Sequence, residues 1–228
     1  MMRRGMKYEN NAPILANDLA LRFPDGFWAE LGRFCAAAYF NAYNNSKFDP
    51  DVGRADEKVD RGHRRWAYMN TALRKLKDSW PDEITIEDVC MGPDKGSNNH
   101  VELRVNKYLL THHHLTGSKN LPDGSKYLTQ NTDINEDLEQ LELIPVREYM
   151  PETGFNKPFN VLVLHREDPQ SGADLGQVEL VFANGRRRLA VFELSEISKL
   201  QALFAEMSPE DLFDLKFRHE EAKRRYNA

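Results

Sequence analysis

The chain is 228 residues long, 40% hydrophobic and 29% charged, a balance that supports a packed core and excludes the apolar-poor composition of disordered chains. Against 36 Asp and Glu, 31 Lys and Arg leave a formal net charge of -5, which excludes the overall basic excess that drives non-specific binding to phosphate backbones. With only two cysteines, Cys35 and Cys90, a disulfide framework is not expected.

The basic start, Met1 to Lys7, runs into Tyr8-Glu9-Asn10-Asn11, where a signal peptide would need an apolar stretch. No apolar run reaches the roughly 18 residues that span a bilayer. The expectation is a cytoplasmic protein with no membrane partner.

From Asp25, the residues Phe27, Trp28, Leu31, Phe34, Cys35, Ala38 and Ala42 recur at intervals of three and four, which predicts a helix ending at Asn44-Asn45-Ser46. A turn-rich stretch from Phe48 to Gly53 separates it from a second helix. In that helix Val59, Trp66, Leu73 and Trp80 recur every seven residues with Met69 and Leu76 between them, until Pro81 ends it. The period then changes. Ile84-Thr85-Ile86 opens a strand-like run, and His100 to Val105 alternates strictly, as a half-buried strand does. Asn106-Lys107 forms a candidate two-residue turn into Tyr108 to His114, although lysine suits a positive φ poorly.

Residues 116–158 are broken by prolines and glycines and carry only a short helical pattern near Asn135 to Leu143; long irregular stretches are often functional. Phe159 to His165 is compactly apolar and predicts a strand covered on both faces. Asn184-Gly185 predicts a hairpin in which Val178, Leu180 and Phe182 share a face with Leu189 and Val191. Ser195 is a candidate cap for a helix carrying Ile197, Leu200, Phe204 and Met207. Ser208-Pro209 opens a last helix with Leu212, Leu215 and Phe217.

Separate runs of helices and strands give an α+β fold, a mainly antiparallel sheet with amphipathic helices before and after it. A single domain over 1–228 is expected, with a helical lobe over 1–82 and a sheet-containing lobe over 83–228 as the alternative.

If Asn106-Lys107 is the turn, His100 lies opposite His113, with Glu102 on the same face opposite Thr111. Two imidazoles and a carboxylate can bind zinc or move protons, so His100, Glu102 and His113 are the candidate metal ligands and catalytic residues. A solvated sheet face is the plainer reading, because no HExxH or CxxC spacing accompanies them. Asp82 followed by Glu102-Leu103-Arg104 is similar to the acid, then acid-x-lysine, pattern of metal-dependent nucleases. Arg104 stands where that pattern has lysine.

Arg186, Arg187 and Arg188 beside the hairpin, with Arg64 and Arg65 on the second helix, are candidate contacts for an acidic protein partner. Nucleic acid is the less favoured ligand. GxSxG, GxxxxGK[ST] and GxGxxG are absent, and no cofactor can be named from the sequence.

The segments His100 to Val105, Leu110-Thr111 and Phe159 to His165 resemble uncharacterised bacterial proteins encoded beside metallopeptidase-like regulators. The resemblance spans the middle third of the chain. It implies a toxin–antitoxin or phage-defence setting and no particular site residues. The expected function is protein–protein recognition in such a pair, with a metal-assisted hydrolase or nuclease as the alternative.

Overall fold

The computed structural model describes residues 12–90, 99–116, 121–122, 135, 159–171, 173–185 and 187–208. Three helices come first, α1 (Ala12–Arg22), α2 (Phe27–Lys47) and α3 (Glu57–Ser79). Six strands follow: β1 (Ile84–Cys90), β2 (Asn99–Val105), β3 (Tyr108–His114), β4 (Phe159–Glu167), β5 (Leu175–Asn184) and β6 (Arg187–Glu193). Helix α4 (Leu194–Glu206) completes the described elements. The strands lie in chain order across one sheet, and every neighbouring pair is antiparallel except β3 and β4, which run parallel. The fold is α+β, as the separate runs of helix and strand require.

The face of α2 marked by Phe27, Trp28, Leu31, Cys35, Ala38 and Ala42 is buried as its spacing predicts. The helix does not stop at Asn44, however. It continues to Lys47 because tertiary contacts satisfy residues that would otherwise favour a turn: the Ser46 hydroxyl donates to Asp60 at 2.6 Å, and the Asn45 amide donates to the Tyr68 hydroxyl.

The heptad stripe of α3 divides. Met69, Leu73 and Leu76 are buried, whereas Val59 and Trp66 stand exposed. Helix α4 starts one residue before Ser195, with Glu193 as its cap; the Glu196 carboxylate accepts the Glu193 N–H at 3.4 Å.

Helix α1 precedes the first element that the sequence reading placed. Its C-terminal end is closed from a distance by buried Gln201 of α4, whose amide donates to the carbonyls of Ala20, Phe23 and Pro24 at 3.3, 3.1 and 2.8 Å. Asp18 ties α1 to the β2–β3 turn by a 2.8 Å ion pair with Lys107 and a hydrogen bond from the Tyr108 hydroxyl.

In that turn Asn106 alone takes the left-handed conformation, with φ 51°, so Lys107 is spared it. The β2–β3 register is the expected one, Val105 opposite Tyr108 and Leu103 opposite Leu110. The β5–β6 hairpin differs from expectation. Asn184 pairs with Arg187 and Ala183 with Arg188, but Phe182 pairs with Ala190, leaving Leu189 as the extra residue of a bulge. Leu189 therefore stays in the core beside Leu180, Phe182 and Phe192, and Val191 turns to the opposite face, 39% exposed. Gly185 carries the φ of +54° that the turn demands.

All four described helices and one face of the sheet contribute to a single apolar core. The other sheet face holds a smaller cluster of Leu115, Leu162, Leu164, Val181 and Ala183, so β4 is covered on both faces as its composition predicts. Fully buried Asn135 clamps that face. Its amide donates to the carbonyls of Asn160 and Ala183 at 2.8 and 2.9 Å and accepts the Asn160 N–H at 2.9 Å. The rest of the expected 135–143 helix, the 92–98 loop, most of 116–158 and the helix from Pro209 lie outside the described residues. No helix among the described residues is long and apolar enough to cross a membrane.

Candidate functional site

Where the parallel strands β3 and β4 reach their C-terminal ends, the helix-facing side of the sheet changes from apolar to polar. His112 and His165 occupy inward positions there, both buried, and His114 sits at the rim. Tyr39 of α2 and Asn70 and Arg65 of α3 close over them.

The hydrogen bonds fix one direction of donation. Asn70 Oδ1 accepts the Val101 N–H at 3.3 Å, so the atom facing His112 Nε2 at 2.8 Å is an acceptor and His112 carries its proton on Nε2. His112 Nδ1 is then bare and faces His165 Nε2 at 3.4 Å, which must be the protonated nitrogen of that ring. His165 Nδ1 is left to accept the Tyr39 hydroxyl proton at 2.7 Å. The chain runs from Tyr39 through His165 and His112 to Asn70 with both imidazoles neutral.

Burial enforces this neutrality, because a charged ring loses its hydration in the core. It pushes His112 down to about 3, helped by His113 and His100. His165 is driven well below the ordinary histidine value by burial and then by His112, His114 and Arg65. Burial likewise raises the Tyr39 phenol. At the rim, Arg65 Nη1 donates to His114 Nε2 at 2.7 Å, and burial and that guanidinium bring His114 to about 4. Arg65 also pairs with Glu167 and lies over the Tyr39 ring at 4.4 Å, while Arg61 reaches Glu167 at 3.8 Å. The network ends on an amide and a backbone N–H, and Tyr39, His112 and His165 are each at most 3% exposed. Its geometry suits a specific polar joint between helices and sheet better than proton exchange with a substrate.

The sequence-predicted site residues lie near one another: burial lowers the His100 value, and the Glu102 charge opposes that shift. His100 and His113 come together, ring centroids 6.0 Å apart, and the edge of Trp66 meets His100 at 6.2 Å. Burial and His100 lower His113 to about 4. Glu102 is buried and engaged by Arg104 at 3.2 Å; the same guanidinium reaches Glu87, directly opposite Glu102 on β1, at 3.3 Å. Asp82 is exposed in the turn before β1. Among the described residues no three His, Cys, Asp or Glu side chains form a group that could hold a metal ion.

Of the arginines, Arg64 bonds Asp49 and Asp60, Arg65 is buried in the network above, and Arg188 reaches Glu179 at 2.9 Å. Arg187 is exposed at the start of β6, and Arg186 lies outside the described residues. Tyr39, Asn70 and His165 were not singled out in the sequence; the available signal was a histidine ending the apolar run of β4.

Compared with protein-family models, curated proteins and solved structures, the chain matches none.

A groove of about 860 Å³ lies between α2, the β4–β5 connection and the start of α4. Its acids already have internal partners: Glu167 holds Arg65, Asp168 accepts the Gln170 N–H at 3.0 Å, and Glu193 accepts from Gln177 at 3.4 Å. Gly176 is required at its floor, since a Cβ there would come within 2.7 Å of the Asp168 backbone.

The far half of the α2–α3 hairpin contributes little to the core. Beyond Tyr39 only Ala42 and Ser46 of α2 are buried, and no residue of α3 before Arg65 is. From Tyr39 to Lys47 this half is roughly 12 Å long at 1.5 Å per residue. It carries Phe40, Phe48 and Val59, which are 62%, 73% and 61% exposed, and Trp66, 37% exposed, stands next to it beside His100 of β2.

Proposed function

We propose that this chain works by protein–protein recognition and that the far half of the α2–α3 hairpin, with its exposed apolar side chains, is the recognition surface. One observation carries the reading: four of the six large apolar side chains exposed among the described residues stand on this hairpin, outside the fold's own core. Large apolar groups left in water, set among charged residues, are the usual make-up of an interface centre and its rim. The α3 stripe supports the same view, since Val59 and Trp66 continue a heptad whose later members, Leu73 and Trp80, serve the intramolecular core. A toxin–antitoxin or defence pair, the setting implied by the resemblance described above, is the specific form of recognition proposed.

The test replaces Phe40 and Phe48 together with Glu, and separately Val59 with Glu, and compares proteins retained from extracts of cells that naturally make the chain. Exposed side chains can be exchanged with little effect on folding, so melting temperatures should stay within a few degrees. A partner held stoichiometrically by the wild type should fall at least tenfold with the hairpin variants and persist with Leu203→Glu, an exposed apolar site on α4. Equal retention by all variants, or equal loss with Leu203→Glu, would remove the hairpin from the reading.

A further inference from the structure

His165 stands at the centre of the polar joint, between α2 and the end of β3. Tyr39 of α2 meets it at 2.7 Å and edge-on at 5.5 Å, and the rings of His112 and His114 from β3 lie 5.6 and 5.7 Å away. The charged and titratable groups around it are predominantly cationic or neutral. Arg65 approaches from α3, His112 and His114 from β3 with His113 between them, and Tyr39 from α2. Glu167, on the same strand as His165, is already shared by the guanidiniums of Arg65 and Arg61. A proton added to His165 therefore creates a cation beside Arg65 with its natural counter-ion engaged. A proton added to His112 sets two N–H groups against each other across 3.4 Å.

We propose that this joint is an acid-sensitive latch: protonation of His165 frees the α2–α3 hairpin from the ends of β3 and β4 while the remainder of the sheet stays folded. The inference rests on the hairpin being the recognition surface, and it makes that surface rigid at neutral pH and loose in acid. Locality follows from placement, since α4, β5 and β6 contribute no histidine, and the buried polar group of α4, Gln201, does not titrate.

The direction follows from linkage. A histidine whose value is depressed in the closed form holds that form fully above its free value of about 6.5, and this hold is lost as the pH falls below it. Between pH 7.5 and 5.5 the opening equilibrium should rise ~10-fold for His165 alone and ~100-fold if His112 is protonated with it.

Amide hydrogen exchange on the full chain, with no partner present and rates corrected for the intrinsic pH effect, reads this opening. Amides of residues 40–47 and 57–72 should show the 10- to 100-fold rise, with those of β5, β6 and α4 changing less than threefold. In His165→Gln the rise should shrink about tenfold; His165→Asn, which retains an acceptor for Tyr39, serves if the glutamine variant does not fold. A rise spread evenly over all elements, or wild-type pH dependence in the folded variant, overturns the latch. Either result leaves the partner-capture test intact, and failure of that test leaves the exchange measurement standing.

Discussion

At one end of the helix–sheet interface Phe23 packs its ring against Phe27, Trp28 and Tyr108 with centroids 4.9, 4.3 and 5.4 Å apart; at the other, Tyr39, His112, His165, Asn70 and Arg65 fill the same layer with polar groups. Both ends join α2 to the sheet. The aromatic end is held by area removed from water and by packing, which depend little on the proton concentration. The polar end is held by a single arrangement of hydrogen bonds that requires neutral imidazoles. A fold can thus close one end of a layer permanently and the other conditionally.

The largest effect should come from breaking the aromatic end. Trp28→Ala removes a side chain with no exposed surface and orphans the Leu19 carbonyl that its indole N–H reaches at 3.1 Å. A loss of about 3–5 kcal/mol is expected, in the range of large aromatic truncations. The comparison is sharpened by measuring denaturant midpoints at pH 7.5 and 5.5. The decrement should be the same at both, because among the described residues no histidine ring meets this cluster; a decrement that changes with pH would mean the two ends are not independent.

Tyr39→Phe attacks the polar end with almost no change of volume. It leaves His165 Nδ1 buried without its hydroxyl donor, a loss of about 1–2 kcal/mol. Urea denaturation at neutral pH would show it. No loss would mean that the phenol is a packing group and that its hydrogen bond contributes nothing net.

The two ends were unequally legible in the sequence. Phe27, Trp28, Leu31 and Cys35 announce the aromatic end by helical spacing, and Val101, Leu103 and Val105 announce the sheet by alternation, because burial imposes a period on whole elements. Polar joints impose none. His165 needed Tyr39, 126 residues earlier, and His112 needed Asn70, 42 residues earlier, before either had a partner. The surroundings of the expected trio were hidden for the same reason. Register placed His100 beside His113, but only the fold shows that Arg104 engages Glu102. The arginines of α3 looked like a surface for an acidic partner, yet Arg65 points into the joint and Arg64 onto Asp49 and Asp60, residues a linear reading assigns to a loop and a helix start.

The smallest effect is expected at Val191, on the outer face of the hairpin that walls the aromatic end. Alternation after Asn184-Gly185 places Leu189 and Val191 on one buried face, and a single-residue bulge separates them, since shifting a strand by one residue exchanges its faces. Val191→Thr, at a position 39% exposed, should change stability by less than about 0.5 kcal/mol. Leu189→Thr introduces a hydroxyl and removes volume where the side chain is 8% exposed, and a loss of about 2 kcal/mol follows. Measured side by side in urea, comparable losses at the two sites would restore the unbulged register. A clear separation supports Leu189 as the wall of the permanent end, because a side chain that packs against Phe182 and Phe192 loses contacts that a strand-surface valine never had.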